Sequence, residues 1–454
     1  MKTRIEKDSL GERKVPARAY YGVQTLRASE NFPVSGLRTH PALIQAYACI
    51  KKACAQANTA LGFLKPALAR AVVQACDEVR QGRFDGEFII DAYQAGAGTS
   101  FNMNVNEVMA NRALEILGRK RGDYGALHPN DHVNMAQSTN DTFPTATHVA
   151  VLWQVCKLLP ILDSLAKRFS SKGKEWRRVV KSARTHLQDA VPISLGQEFE
   201  AYGAAVRAAR KELERRSVLL LKVPLGGTAA GTGANAAPGF RRRAIRRLAR
   251  ETGLALKPAQ DMRFGLQSHQ PLMAVSSALK ELALELIRIA NDLRLLSSGP
   301  MTGLAEIDLP AVQPGSSIMP GKVNPSLLEC LNMVCFQIAG RDLSVSLAAQ
   351  AGQLDLNVMT PLTAYNLLDS AQMLINFLPV VESRCIRGIR ADSARCRDYA
   401  RSSLSLAALL SPMIGYDKAA EVFKEARRRK TSAGQVALEK GYLKAGDLKR
   451  LLRT

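Results

Sequence analysis

LMAVSSALKELALELIRIANDLRLL, residues 272–296, decides the fold. Leu272, Val275, Leu279, Leu282, Leu286, Ile289, Leu293 and Leu296 follow one another in steps of three and four, the repeat that keeps one stripe of an α-helix apolar along its whole length. The same stepping runs through Leu152, Val155, Leu159, Leu162, Ala166 and Phe169, and again through Leu195, Phe199, Tyr202, Val206, Ala209 and Leu213. A fourth stripe starts at Leu327 and passes through Leu331, Val334 and Ile338 to Val345 and Ala348, and a fifth helix is expected within 357–380. Between them lie segments rich in Gly, Pro and Thr at 225–239, 297–303 and 309–325, which read as the loops of a bundle.

Long helices with apolar residues on more than one face are hard to bury within one chain, so the bundle is expected to be shared between subunits. Before about residue 140 and after about residue 390 the stripes shorten and become more polar. The expectation is an all-α chain of three domains: 1–139, a central helical bundle at 140–389, and a small helical domain at 390–454.

Composition narrows the class. With 46% hydrophobic residues in 454, a sizeable core is available and large-scale disorder is not expected. The first residues, MKTRIEKDSLGERK, are charged and carry no signal-peptide core, and no run reads as long enough to span a bilayer, so a cytoplasmic protein with no membrane partner is expected. Eight cysteines without a CxxC pair encode neither a zinc knuckle nor a redox motif and read mostly as buried thiols. Lys and Arg outnumber Asp and Glu by 63 to 40, giving +23, which permits nucleic-acid contact, attraction of an anionic substrate, or a charged solvated surface.

The generic chemical motifs fall away. Gly231, Gly233 and Ala236 satisfy GxGxxA but lack the strand–helix–strand setting of a dinucleotide site. The six histidines show no metal-site spacing with a carboxylate, and His128 and His132, one turn apart, read as capping or surface groups. The basic runs Arg241–Arg243 and Arg427–Lys430 are not interleaved with aromatics and read as solvated helix faces, so no nucleic-acid partner is expected.

Four polar segments remain: AGAGTSFNMN at 95–104, HPNDHVNMAQSTND at 128–141, SARTHLQD at 182–189 and GSSIMPGKVNP at 315–325. Any one of them could be helix capping; all four at the ends of apolar helices point to a site. GSSIMPGKVNP resembles the signature loop of the fumarase/aspartase superfamily. The resemblance covers essentially the whole chain, through RIEKDSLGERKVPARAYYGVQTLRASENFP at 4–33, QAGAGTSFNMNVNEVMANRA, QSTND, RTHLQDAVPISLGQEFEAY and NDLRLLSSGP. It implies three helical domains, a homotetramer whose central domains form a many-helix core, and active sites that each draw on three subunits.

The resemblance also implies roles. The family's reaction takes a proton from the carbon beside a carboxylate, so negative charge accumulates in an aci-carboxylate and a preorganised anion site is the main requirement. Ser316 matches the catalytic base, and such a serine needs N–H donors and a cation around its oxygen. Ser317, Lys322 and Asn324 match substrate-carboxylate ligands. Thr99, Ser138, Thr139 and Asn140 match neutral donors to the carboxylates and leaving group, Thr185 and His186 match a pair that contacts substrate, and Glu329 matches the carboxylate that orients this histidine. No cofactor or metal is required for a redox-neutral elimination.

AGAGTS, QSTND, YYGVQTLRA and NDLRLLSSGP are similar to the aspartase branch, which implies elimination of ammonia from L-aspartate to give fumarate. HPND at 128–131 and LGGTAAGTG at 225–233 are similar to the fumarase branch, which keeps hydration chemistry as the alternative, with a basic helical binding scaffold behind it. DMRFGLQSHQP at 261–271, Gln350 and Thr360 depart from both branches.

Overall fold

The computed structural model describes residues 2–444, 446, 447 and 450. Five of its helices have 23 residues or more: Thr139–Glu175, Leu195–Ser217, Gln270–Leu296, Ser326–Gln350 and Thr360–Arg384. All eight residues of the 272–296 stripe are buried, none more than 7% exposed. Each leucine so removed from water contributes roughly 2 kcal/mol, which makes this seam a main source of stability. The protein is all-α in architecture; strands among the described residues occur only as two-stranded pieces.

The chain divides into two compact units. One comprises residues up to Leu159 with Glu212–Glu281 and Gln337–Ile375; the other comprises Pro160–Lys211, Leu282–Phe336 and the residues from Asn376 on. Each of the five long helices gives one stretch to each unit. In the first unit, Tyr47, Phe101 and Phe143 meet edge to face, with Tyr47 and Phe101 centroids 5.2 Å apart. Glu107, fully buried, accepts from the backbone N–H groups of Gly22, Gln24 and Thr25 and from the Thr25 hydroxyl, which ties the N-terminal helix Val23–Asn31 to Thr99–Ile116.

In the second unit Phe169, Trp176, Phe199 and Tyr202 form an aromatic cluster. Leu406, Leu410, Val422, Ala426 and Val436 close a separate small core near the C-terminus. Positions 445, 448, 449 and 451–454 of the expected 390–454 domain lie outside the described residues.

Two expectations change. Thr139–Glu175 is, among the described residues, the one helix long and apolar enough to cross a bilayer, although its sequence reads as no such run. Thr142, Thr145, Thr147 and His148 interrupt the apolar stretch yet are themselves buried, and more than half of that stretch is covered by the rest of the protein. The segment around Gly231 and Gly233 does have strands on both sides of a helix: Lys222–Val223 pairs in parallel with Lys257–Pro258 around Phe240–Thr252. Each strand has two residues, and Gly233 lies seven residues before the helix begins, so the glycines do not open the helix as a dinucleotide turn requires.

Candidate active site

Within the signature loop the backbone folds back on itself. The Gly315 N–H donates to the Lys322 carbonyl at 2.9 Å, and the Asn324 amide donates to the Gly315 carbonyl at 2.5 Å. A Cβ on Gly315 would stand 2.3 Å from the Lys322 carbonyl oxygen, so only glycine fits there, and Gly321 takes φ +81° at the return. This closure turns the backbone N–H groups of Ile318 and Met319 onto Ser316 Oγ, at 3.2 and 3.0 Å. A serine oxygen that already accepts two N–H bonds is placed to carry negative charge. Ser317 and Lys322 are exposed on the same loop.

Thr185 and His186 stand at the tip of a hairpin, Val180–Thr185 against Gln188–Ser194, with Thr185 opposite Gln188. His186 and Leu187 both have positive φ, 55° and 58°, the two-residue turn that matches strand twist and that normally takes Asn-Gly. Holding non-glycine residues there costs energy, and it projects the imidazole outward, where it is exposed. Glu329 lies in the first turn of Ser326–Gln350 and is half-buried. Among the described residues no hydrogen bond or ion pair joins His186 to Glu329 in one chain.

The base of the hairpin is held by buried charge. Lys181 Nζ lies 2.9 Å from both Glu198 carboxylate oxygens and 2.8 Å from Glu306 Oε2, and Arg184 Nη1 reaches the same Glu306 oxygen at 2.9 Å. Burial pushes Glu198 upward in pKa, and the Lys181 ammonium opposes it.

In the other unit the donor segments lie side by side. Thr99 begins the Thr99–Ile116 helix and is exposed, while Ala97 and Gly98 before it are buried. Gly98, at φ +81°, faces the Phe143 ring so closely that a Cβ would meet it at 2.1 Å, which seats the AGAG turn against the start of Thr139–Glu175. There Ser138 and Asp141 cap the helix reciprocally: the Ser138 N–H donates to Asp141 Oδ1 at 3.1 Å, and Ser138 Oγ accepts from the Asn140 N–H at 3.2 Å. Thr139 is buried, and the Asn140 amide donates to the Ala229 carbonyl at 2.8 Å.

Asp141 was legible only as part of QSTND; its function as a clamp was not. Its Oδ2 accepts from the Gly226 and Thr228 N–H groups, both at 2.9 Å, so it fastens the donor segment to the Gly-rich loop. Burial pushes Asp141 up to about 6, with the three N–H donors and Lys51 pulling the other way. His128 is a cap, as its spacing suggests: its Nδ1 accepts from the Asn130 and Asp131 N–H groups at 3.1 and 3.3 Å. Among the described residues no group of three or more His, Cys, Asp or Glu side chains is placed to hold a metal ion, and all eight cysteines are free, with Cys156 exposed and Cys330 half-buried.

Comparison with known proteins gives this architecture its relatives. Residues 11–340 match the family model described as Lyase, and residues 406–454 match Fumarase C C-terminus. The chain is 49% identical over 427 residues to aspartate ammonia-lyase of Pseudomonas aeruginosa, covering 93% of this chain and 90% of that one. It is 45% identical over 452 residues to fumarate hydratase class II of Thermosynechococcus vestitus, covering 99% and 97%. Among solved structures it is similar to the fumarate lyase:delta crystallin of Brucella melitensis bound to cobalt, with a TM-score of 0.96 and 48% identity over 99% of this chain and 98% of that one. With a shared fold and near-half identity along almost its whole length, this chain belongs to the lyase family, within the fumarase/aspartase superfamily.

Proposed function

We propose that this protein is an aspartate ammonia-lyase, a carbon–nitrogen lyase that converts L-aspartate reversibly to fumarate and ammonia. The observation that carries this reading is the Ser316 oxygen under two backbone N–H donors, on a loop closed by Gly315 and Asn324. Similarity to aspartate ammonia-lyase supports the choice of leaving group.

In this reading Ser316 as alkoxide takes the proton from the carbon beside one carboxylate. The electron pair left behind spreads into that carboxylate as an aci-carboxylate, held by Ser317, Lys322 and Asn324, and then expels the amino group as the carbon–carbon double bond forms. Thr99, Ser138, Thr139 and Asn140 supply neutral donors that recognise the amino group and carboxylates without trapping the product. Thr185 and His186 contact the substrate, with Glu329 orienting the imidazole from another subunit.

Self-association as a homotetramer is part of the proposal. Met333, Phe336, Leu343 and Leu347 lie along one face of Ser326–Gln350 and are 56–63% exposed, a stripe of large apolar side chains that a second helix would cover. Three domains at 1–139, 140–389 and 390–454 and a cytoplasmic location belong to the same reading, and the separate core around Leu410 and Val422 supports the last boundary.

Hydration of fumarate to L-malate is the second reading, favoured by the 45% identity to a class II fumarate hydratase and by the His128-capped turn of HPND. Purified protein offered L-aspartate and L-malate separately decides between them: fumarate from aspartate alone supports the first reading, and fumarate from malate alone overturns it.

A further inference from the structure

Lys51 is fully buried, yet among the described residues no carboxylate bonds it directly. Its Nζ donates to Asn102 Oδ1 at 2.9 Å and to Asn134 Oδ1 at 2.8 Å, and the Tyr47 ring lies 5.9 Å away. Burying an ammonium with no carboxylate in direct contact is costly, so neutral amides and a ring face are a poor exchange for stability alone. What distinguishes these amides is where they lead. Asn102 is on the first turn of Thr99–Ile116, three residues after Thr99. Asn134 donates through Nδ2 to the Gln137 carbonyl at 3.2 Å, immediately before Ser138. One cation therefore reaches, through one side chain each, both segments that carry the neutral donors of the proposed site.

We propose that Lys51 is a positioning residue of the dicarboxylate site, fixing the Thr99 and Ser138–Asn140 segments together and supplying the buried positive charge that makes their neutral donors carboxylate-selective. The inference rests on the lyase reading above. A fixed cation in a water-poor interior acts on a bound dianion more strongly than a surface lysine does, and needs no contact with it. The titratable groups that interact electrostatically with Lys51 are Asp141 on the Thr139–Glu175 helix, Cys54 on its own helix and Cys76 on Pro66–Arg80; Asn102 on Thr99–Ile116 and Asn134, just beyond Pro129–Val133, present neutral amides. Burial lowers Lys51 to about 8 and raises both thiols, so above that pH the ammonium is lost while the thiols stay neutral.

The test is binding of succinate, the saturated four-carbon dianion, to the assembled protein by calorimetry from neutral pH to well above 8, beside steady-state kinetics. Lys51→Met is expected to weaken succinate binding about tenfold or more at neutral pH, and to raise KM more than it lowers kcat. It also removes the decline in affinity that the unaltered protein shows as pH rises through 8. Asn102→Asp keeps the ammonium but neutralises it with a carboxylate, and is expected to weaken succinate binding similarly with its melting temperature retained; it decides the matter alone if Lys51→Met does not fold. Unchanged succinate affinity in Asn102→Asp, or in a folded Lys51→Met, overturns the proposal. An unaltered protein that binds succinate but forms no fumarate from L-aspartate counts against the lyase reading, not against Lys51.

Discussion

Ser316 Oγ accepts the backbone N–H of Met319 at 3.0 Å, within a loop that exists only because Gly315 lacks a side chain. The geometry stabilises an anionic oxygen before any substrate arrives. Ser316→Ala is therefore expected to lower kcat about a thousandfold while leaving the melting temperature within about 1 °C, since the loop is largely exposed and adds little to the core. Retained turnover in that variant removes the base from the mechanism.

Buried charge under the hairpin gives a stability prediction. Glu306 is fully buried and holds Lys181 and Arg184. Glu306→Leu leaves two cations facing an apolar side chain, at an expected cost of about 3–5 kcal/mol measured by denaturant unfolding. A loss below about 1 kcal/mol means that Glu198 alone compensates Lys181.

Two buried histidines outside the proposed site are expected to contribute to acid sensitivity. His148 and His269 are buried and lowered from 6.5 to about 4, in each case first by burial. The unfolded chain takes up protons between 6.5 and 4 where the folded chain does not, so stability falls as pH drops through that window and levels off below it. The full effect is roughly 3 kcal/mol per histidine. His269, with neither ring nitrogen bonded among the described residues, should show it most clearly: the pH dependence of the melting temperature is expected to flatten in His269→Phe.

The helical seam at 272–296 was legible because its apolar residues alternate steps of three and four without a break, and all eight positions are buried. The stripe of the Ser326–Gln350 helix is only partly legible. Leu331, Ile338, Val345 and Ala348 of the expected stripe are buried, with Leu328 and Cys335 beside them, whereas Leu327 and Val334 are only half-buried. Periodicity cannot choose between faces when a helix carries apolar residues on two of them, and here the second face is the exposed stripe through Met333, Phe336, Leu343 and Leu347. Ser316 was recognisable from its loop, but Lys51 and Glu306 were not: each acquires its meaning from partners more than fifty residues away, and no local pattern marks them.

That second face carries the assembly prediction. Phe336→Glu places a charge in the exposed stripe and is expected to shift the proposed tetramer to smaller species in light scattering, with lyase activity lost in parallel because each proposed site draws on several chains. A monomeric, fully active protein contradicts the shared-site account.

The most direct measurement is the ultraviolet absorbance of fumarate formed when the purified, unaltered protein is given L-aspartate, with ammonia quantified in the same sample. Equal amounts of fumarate and ammonia, abolished by Ser316→Ala, are the predicted result; no product from aspartate, with fumarate appearing from L-malate instead, contradicts it.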